Sequence, residues 1–294
     1  MGARWAVYFA AAGLDVVVHD PHPARWDAFL AERAGLEAEV AALRAGGAAT
    51  LAGSITCAPD IEDLAPADFV QECAPERIEL KRDLLPRIEA AVGDDVVIAS
   101  SSSALLVTEM QAACTRPERI VLGHPFNPAH LMPLVEVVGG EGTAPWAVTA
   151  ARDFYDVIGK KPVVLSREIT GHLALRLMGA MWREAIALVA SGVATAEDVD
   201  RAFQYGPGPK WLLQGAFISN ALNAAGMAEF LDRYGPTYEA IWDDLMTASL
   251  DAPTRAAVVA GTEAAMAGRS VETLKAEREA GLVPLLALMD RQGA

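Results

Sequence analysis

Residues 123–140 read GHPFNPAHLMPLVEVVGG. Val121 and Leu122 lead into this stretch as the end of one strand, and residues 134–138 (LVEVV) read as the next. Pro125, Pro128 and Pro133 stiffen the link, because each ring fixes its own φ and pushes the preceding residue toward extended backbone. Two neighbouring strands with a rigid link between them can bring His124 and Glu136 side by side. A histidine oriented by a buried carboxylate is a general acid/base with a pKa near neutrality and a fixed tautomer. The same spacing also suits a packed strand pair in which the two side chains never meet.

On either side of this stretch apolar runs alternate with helical patterns. Residues 3–12 read as a helix and 14–19 (LDVVVH) as a buried strand ending at Asp20. A long amphipathic helix covers 23–44, with Phe29, Leu36, Val40 and Leu43 at helical spacing. Strands follow at 54–57, 68–73, 96–100 and 120–126, with helices at 76–91 and 107–113. After 134–138 come a helix over about 145–158 and a last strand at 162–165 (PVVL). The strands are continuous apolar runs, as expected when helices cover both faces of a sheet. Their alternation with helices predicts an α/β fold with a doubly wound parallel sheet in residues 1–167. Residues 168–294 are expected to be all helix.

Hydrophobic residues make up 52% of the 294-residue chain and charged residues 21%, enough apolar mass for a core. The net charge of −15 argues against nucleic acid or an anionic membrane surface as partner. No apolar run reaches the ~18–20 residues of a bilayer span. Cys57, Cys73 and Cys114 are scattered and odd in number, which suits thiols in a reducing cytoplasm and neither a disulfide framework nor a metal site.

The start of the chain departs from pattern. A dinucleotide-binding sheet opens with a strand running into G-x-G-x-x-G, and an acidic residue ~20 positions on meets the ribose. Asp20 ends a strand eighteen residues after Gly2, which stands where the third glycine belongs. On this reading the first strand and first two glycines are missing, the chain is N-terminally truncated, and NAD binding is weak. The alternative is that Met-Gly-Ala simply opens a helix and Asp20 caps a turn before Pro21.

MGARWAVYFAAAGLDVVVHD (1–20), DFVQECAPERIELK (68–81), SSSSALLVTEM (100–110), the 123–140 stretch and ITGHLALRLMGAMWREA (169–185) together resemble the 3-hydroxyacyl-CoA dehydrogenase family. The pattern is closest to its L-carnitine dehydrogenase and L-gulonate 3-dehydrogenase (lambda-crystallin) branch. The resemblance implies a Rossmann sheet lacking its first strand, an all-helical C-terminal domain, a homodimer, and NAD as cofactor. It implies that His124 is the general base, that Glu136 holds the imidazole, and that Asn127 and Ser103 hydrogen-bond near the reacting oxygen. Gly2, Asp20, Glu76, Lys81 and Ser103 match cofactor-contacting positions, and Asp20 would repel a 2′-phosphate. Read locally, Ser103 is also a plausible helix cap, and Glu76 with Lys81 an (i, i+5) pair on a solvated helix face.

Two departures stand out. Leu175 occupies the place of an asparagine in the acyl-CoA enzymes' motif, and His172 replaces that motif's aromatic, the carnitine-type pattern. His172 reads as an interface residue, and His19, His22 and His130 as structural or surface. The helix where acyl-CoA enzymes carry phosphate-binding cations has only Arg25, Arg33 and Arg44. NAD-dependent oxidation of a small L-3-hydroxy acid is therefore favoured, carnitine-like first and gulonate-like second. Trp182, Trp211, Phe217, Phe230, Tyr234, Tyr238 and Trp242 could cage a trimethylammonium group. A short-chain 3-hydroxyacyl-CoA dehydrogenase, and a crystallin-like or inactive truncated member, remain as alternatives.

Overall fold

The computed structural model describes residues 1–43 and 52–291; Arg44, which the sequence places at the end of the second helix, lies outside them. The chain divides into two compact units, Met1–Arg176 and Leu177–Ala294.

In the first unit, helix α1 (Gly2–Ala11) leads into strand β1 (Val16–His19), and α2 (Pro23–Leu43) into β2 (Ile55–Ala58). Then come β3 (Phe69–Glu72), α3 (Ile78–Ala91), β4 (Val97–Ser100), the single turn α4 (Val107–Met110) and β5 (Ile120–Pro125). β6 (Leu134–Gly139), α5 (Pro145–Val157) and β7 (Lys161–Val164) complete the sheet. Strand side chains alternate between two covered faces. Val97, Ala99, Val121, Val135 and Val137 meet Trp5, Tyr8 and Phe9 of α1 and Ala151 and Tyr155 of α5. On the other face Ile98, Ile120, Leu122 and Val138 meet Leu85, Ile88, Val107 and Met110 of α3 and α4.

The expected α/β sheet lacking its first strand is seen, with one departure from a purely parallel arrangement. The described strands form two sheets, β1–β2 and β3–β4–β5–β6–β7, with no described strand between β1 and β3. The larger sheet is mixed: β3, β4 and β5 run parallel, but β6 is antiparallel to β5, and β7 follows β6 in parallel. The cause is the length of the link from Pro125 to Leu134. A parallel return needs a crossover of a dozen or more residues, usually a helix, whereas an antiparallel return needs only a short connection. In the antiparallel register His124 stands directly opposite Glu136.

The second unit is helical among the described residues. α6 (Ala174–Ala190), which begins in the first unit, is followed by α7 (Ala196–Tyr205), α8 (Pro207–Ala221), α9 (Met227–Asp244), α10 (Ala252–Met266) and α11 (Val271–Arg291). Thr195 and Asp251 cap α7 and α10 by accepting from Asp198 and Thr254 amides. Its apolar side chains are largely uncovered: Leu177, Trp182, Phe217, Leu222 and Trp242 are all well exposed. No described helix is long and apolar enough to cross a membrane.

Candidate active site

His124 and Glu136 share the sheet face of Leu122 and Val138, and His124 Nδ1 donates to Glu136 Oε2 at 2.8 Å. Both side chains are buried. The second oxygen of Glu136, Oε1, accepts from the backbone amides of Leu173 (2.7 Å) and Ala174 (2.8 Å), where α6 begins. These amides have no partner within the helix, and a helix N-terminus favours negative charge. Burial by itself would raise the pKa of Glu136. The bonds from His124, Ala174 and Leu173 outweigh it and leave the carboxyl below its ordinary value. An ionised Glu136 requires the proton on Nδ1, so the neutral ring of His124 has its lone pair on Nε2. No described protein group bonds that nitrogen, and it is free to take a proton from a ligand.

The serine loop after β4 is organised by Glu76. Its Oε1 accepts from Ser102 Oγ (2.6 Å) and from the amides of Ser103 (3.1 Å), Ala104 (2.9 Å) and Leu105 (3.2 Å). Here too burial raises the pKa, and the bonds from Ser102, Ala104 and Leu105, with the charge of Lys81, bring it below the ordinary value. Ser103 is half-buried beside this cradle and holds Glu76 through its amide. Lys81 requires a correction. It does not lie on a solvated face but is fully buried, with Nζ on both oxygens of Glu72 (2.9 and 2.6 Å) and within 3.4 Å of Ser100 Oγ. Glu72 ends β3, nine residues before Lys81 and on a different element, so helical spacing gave no hint of the pair. Its ammonium supports the ends of β3 and β4 from within.

Asn127 is exposed just past β5, before a cis peptide to Pro128. Asp20 is exposed at the end of β1, where Oδ1 accepts from the His22 amide at 2.9 Å. That is the turn-capping role, and it leaves Oδ2 available. Gly2 begins α1, and a Cβ there would meet Cys73 Cβ at an ordinary 3.7 Å. Leu175 is half-buried on α6, an apolar residue in place of the amide.

Three features of the site carry no sequence signal of the expected kind. The Leu173 and Ala174 donors are backbone atoms. His172 is buried with its ring centroid 5.2 Å from that of His124. Behind His124, Gln71 Nε2 donates to Gly123 O (3.2 Å) and Ser101 Oγ (2.8 Å), and Tyr155 hydroxyl donates to Gln71 Oε1 (2.5 Å). A Cβ on Gly123 would fall 1.9 Å from Tyr155 Oη, so this position excludes every side chain.

A paired imidazole and carboxylate on a doubly covered sheet can take and release a proton. Residues 1–169 match the 3-hydroxyacyl-CoA dehydrogenase NAD binding domain, and residues 171–219 match that family's C-terminal domain. The chain belongs to the 3-hydroxyacyl-CoA dehydrogenase family and is an NAD-dependent oxidoreductase. It is 44% identical over 298 aligned positions to an L-carnitine dehydrogenase of Streptomyces coelicolor, covering 100% of this chain and 93% of that protein. An L-carnitine dehydrogenase of Pseudomonas aeruginosa is 42% identical, with 97% and 90% covered. Among solved structures, 5-formyl-3-hydroxy-2-methylpyridine 4-carboxylic acid 5-dehydrogenase superposes with a TM-score of 0.84 at 30% identity, over 99% of this chain and 95% of that one. The (S)-3-hydroxybutyryl-CoA dehydrogenase of Ralstonia eutropha gives 0.64 at 27% identity, with 91% and 90% covered.

Proposed function

We propose that this enzyme oxidises a small L-3-hydroxy acid of the carnitine type to the 3-oxo acid. The observation that carries the reading is the His124–Glu136 pair with its carboxylate pinned at both oxygens and Nε2 left open. His124 Nε2 takes the hydroxyl proton as the C–O bond becomes a carbonyl. NAD, when bound, would supply the two-electron acceptor for the hydride that leaves the same carbon. Glu136 stabilises the imidazolium that forms without itself being protonated. Asn127 and Ser103 orient the reacting oxygen and the groups beside it.

The residues present fit NAD. Asp20 would offer a carboxylate oxygen past the end of β1 to the ribose hydroxyls, the amides of the helix opened by Gly2 would meet the pyrophosphate, and Glu76 presents an exposed carboxylate beside Ser103. Lys81 supports this end of the sheet through Glu72 and Ser100.

Similarity to the L-carnitine dehydrogenases favours a quaternary-ammonium hydroxy acid. The alternative acyl-CoA reading draws on the family itself and on the Ralstonia eutropha structure. Turnover of L-carnitine, L-gulonate and 3-hydroxybutyryl-CoA by the purified protein separates these. Preference for the thioester would reject the small-acid reading, and an unchanged rate in His124→Ala would reject the site. We place the protein in the cytoplasm, in keeping with three unbridged cysteines. We assign it a homodimer, in keeping with the uncovered apolar surface of the second unit.

A further inference from the structure

Gly171 and His172 have φ of +75° and +50°, two successive residues in the left-handed region. Glycine enters that region freely, and histidine enters it more readily than most residues, but the second still carries a cost. The consequence of the turn is specific. It brings the next two amides, Leu173 and Ala174, onto Glu136 Oε1.

The side chain of His172 fastens the turn. Its Nε2 donates to the carbonyl of Ser102 at 3.1 Å, across to the loop that Glu76 organises. A carbonyl accepts only, so the proton must be on Nε2. Nδ1 is buried without a partner, so a second proton there would be a buried donor with nothing to receive it. The ring lies 5.2 Å, centroid to centroid, from that of His124, and the charges that act on it are those of His124, Glu136 and Glu76. Burial holds the pKa of His172 below the ordinary histidine value, and the neighbouring His124 adds to that against the Ser102 bond and the two carboxylates. The ring therefore stays neutral while His124 beside it accepts and releases a proton.

We infer that His172 is a positioning residue for the acid–base pair: by donating from Nε2 to Ser102 it holds the left-handed turn that seats the Leu173 and Ala174 amides on Glu136. The hydrogen-bonded path runs from Glu76 through Ser102 to His172, and from the adjoining amides through Glu136 to His124. His172 touches neither proton nor hydride in the reaction. The inference rests on the reading of His124 as the base.

The test compares three variants with the wild-type enzyme, using L-carnitine and NAD. Gln places an amide donor near the position of Nε2, Leu keeps bulk without a donor, and Asn tolerates the left-handed turn but is too short to replace Nε2. His172→Gln is expected to keep kcat within about threefold, whereas His172→Leu should lose about 10–100-fold in kcat with KM changed far less. A loosened Glu136 stabilises imidazolium less, so the acid limb of kcat/KM should move to lower pH in His172→Leu and stay in place in His172→Gln. If the leucine variant does not fold, His172→Asn gives the same reading. Equal kcat in the glutamine variant and in the folded donor-less variant, or an effect confined to KM, would overturn the inference. His124→Ala measured alongside keeps the two claims apart: its full activity would remove the site, while its collapse with normal His172→Leu would remove only the role of His172.

Discussion

Two buried histidines of the first unit each meet a glutamate, His124 with Glu136 and His130 with Glu39. The two environments differ in what each pair leaves over. Glu136 is fully buried and uses both oxygens, one on His124 and one on two backbone amides, and His124 keeps Nε2 unbonded. Glu39 is partly exposed, and His130 has both nitrogens engaged: Nε2 with Glu39, and Nδ1 with the Arg4 guanidinium at 3.1 Å. His130 ties α1, α2 and the link after β5 together. A buried histidine–carboxylate pair therefore signals proton transfer only when one ring nitrogen is spare and the carboxylate is anchored by something else.

The comparison breaks most directly at the imidazoles. His124→Ala should lower turnover by about 10²–10⁴-fold with NAD affinity little changed, read by steady-state kinetics and NAD titration. If His130→Ala has the same effect, the distinction drawn from the spare nitrogen is wrong.

Glu136→Gln should cost about 10²-fold in kcat. The carboxylate serves His124 and the amides with separate oxygens, but glutamine has one acceptor oxygen and must abandon one partner. The loss of charge should also move the acid limb of kcat/KM to lower pH.

Stability on acidification sharpens the contrast. The folded-state pKa of Glu136 lies below its ordinary 4.5, so its contribution is full above that value and disappears as pH falls through the lower, folded one. Urea unfolding between pH 7 and pH 3 should show a steeper loss for wild type than for Glu136→Gln. Parallel curves would mean the carboxylate is not held ionised.

His130→Ala should leave kcat within about threefold and lower stability by roughly 1–3 kcal/mol, the scale of a buried polar partner removed from its network. Glu39→Gln, at a partly exposed rim, should lower it by less than about 1 kcal/mol in the same urea experiment.

Much of this was legible in the sequence. The apolar runs marked the strands, but the prolines at 125, 128 and 133 were read only as stiffening the link, and its shortness, which forces an antiparallel return, was not used. That return is what makes His124 and Glu136 cross-strand partners. Lys81 was misread because the pattern of its own helix suggests Glu76, while the actual partner, Glu72, lies on a strand packed beneath it. His172 was noted but read only as an interface residue, and the Leu173 and Ala174 amides were missed, because a left-handed turn and backbone donors leave no periodicity. In Asp20 the local capping bond uses one carboxylate oxygen and leaves the other open to the expected ribose role.

The absence of any space beside Gly123 bears on how this site can change by substitution. Alanine at 123 would collide with the Tyr155 hydroxyl and stand 2.8 Å from Cζ, so even phenylalanine at 155 would not clear it. The two positions are therefore epistatic, and order matters. Tyr155→Leu taken first opens room under β5, and Gly123→Ala can follow at reduced cost; taken in reverse, the first step displaces the residue next to the His124 imidazole. Random variation around His124 thus has a one-way gate, set by the volume of a single phenol.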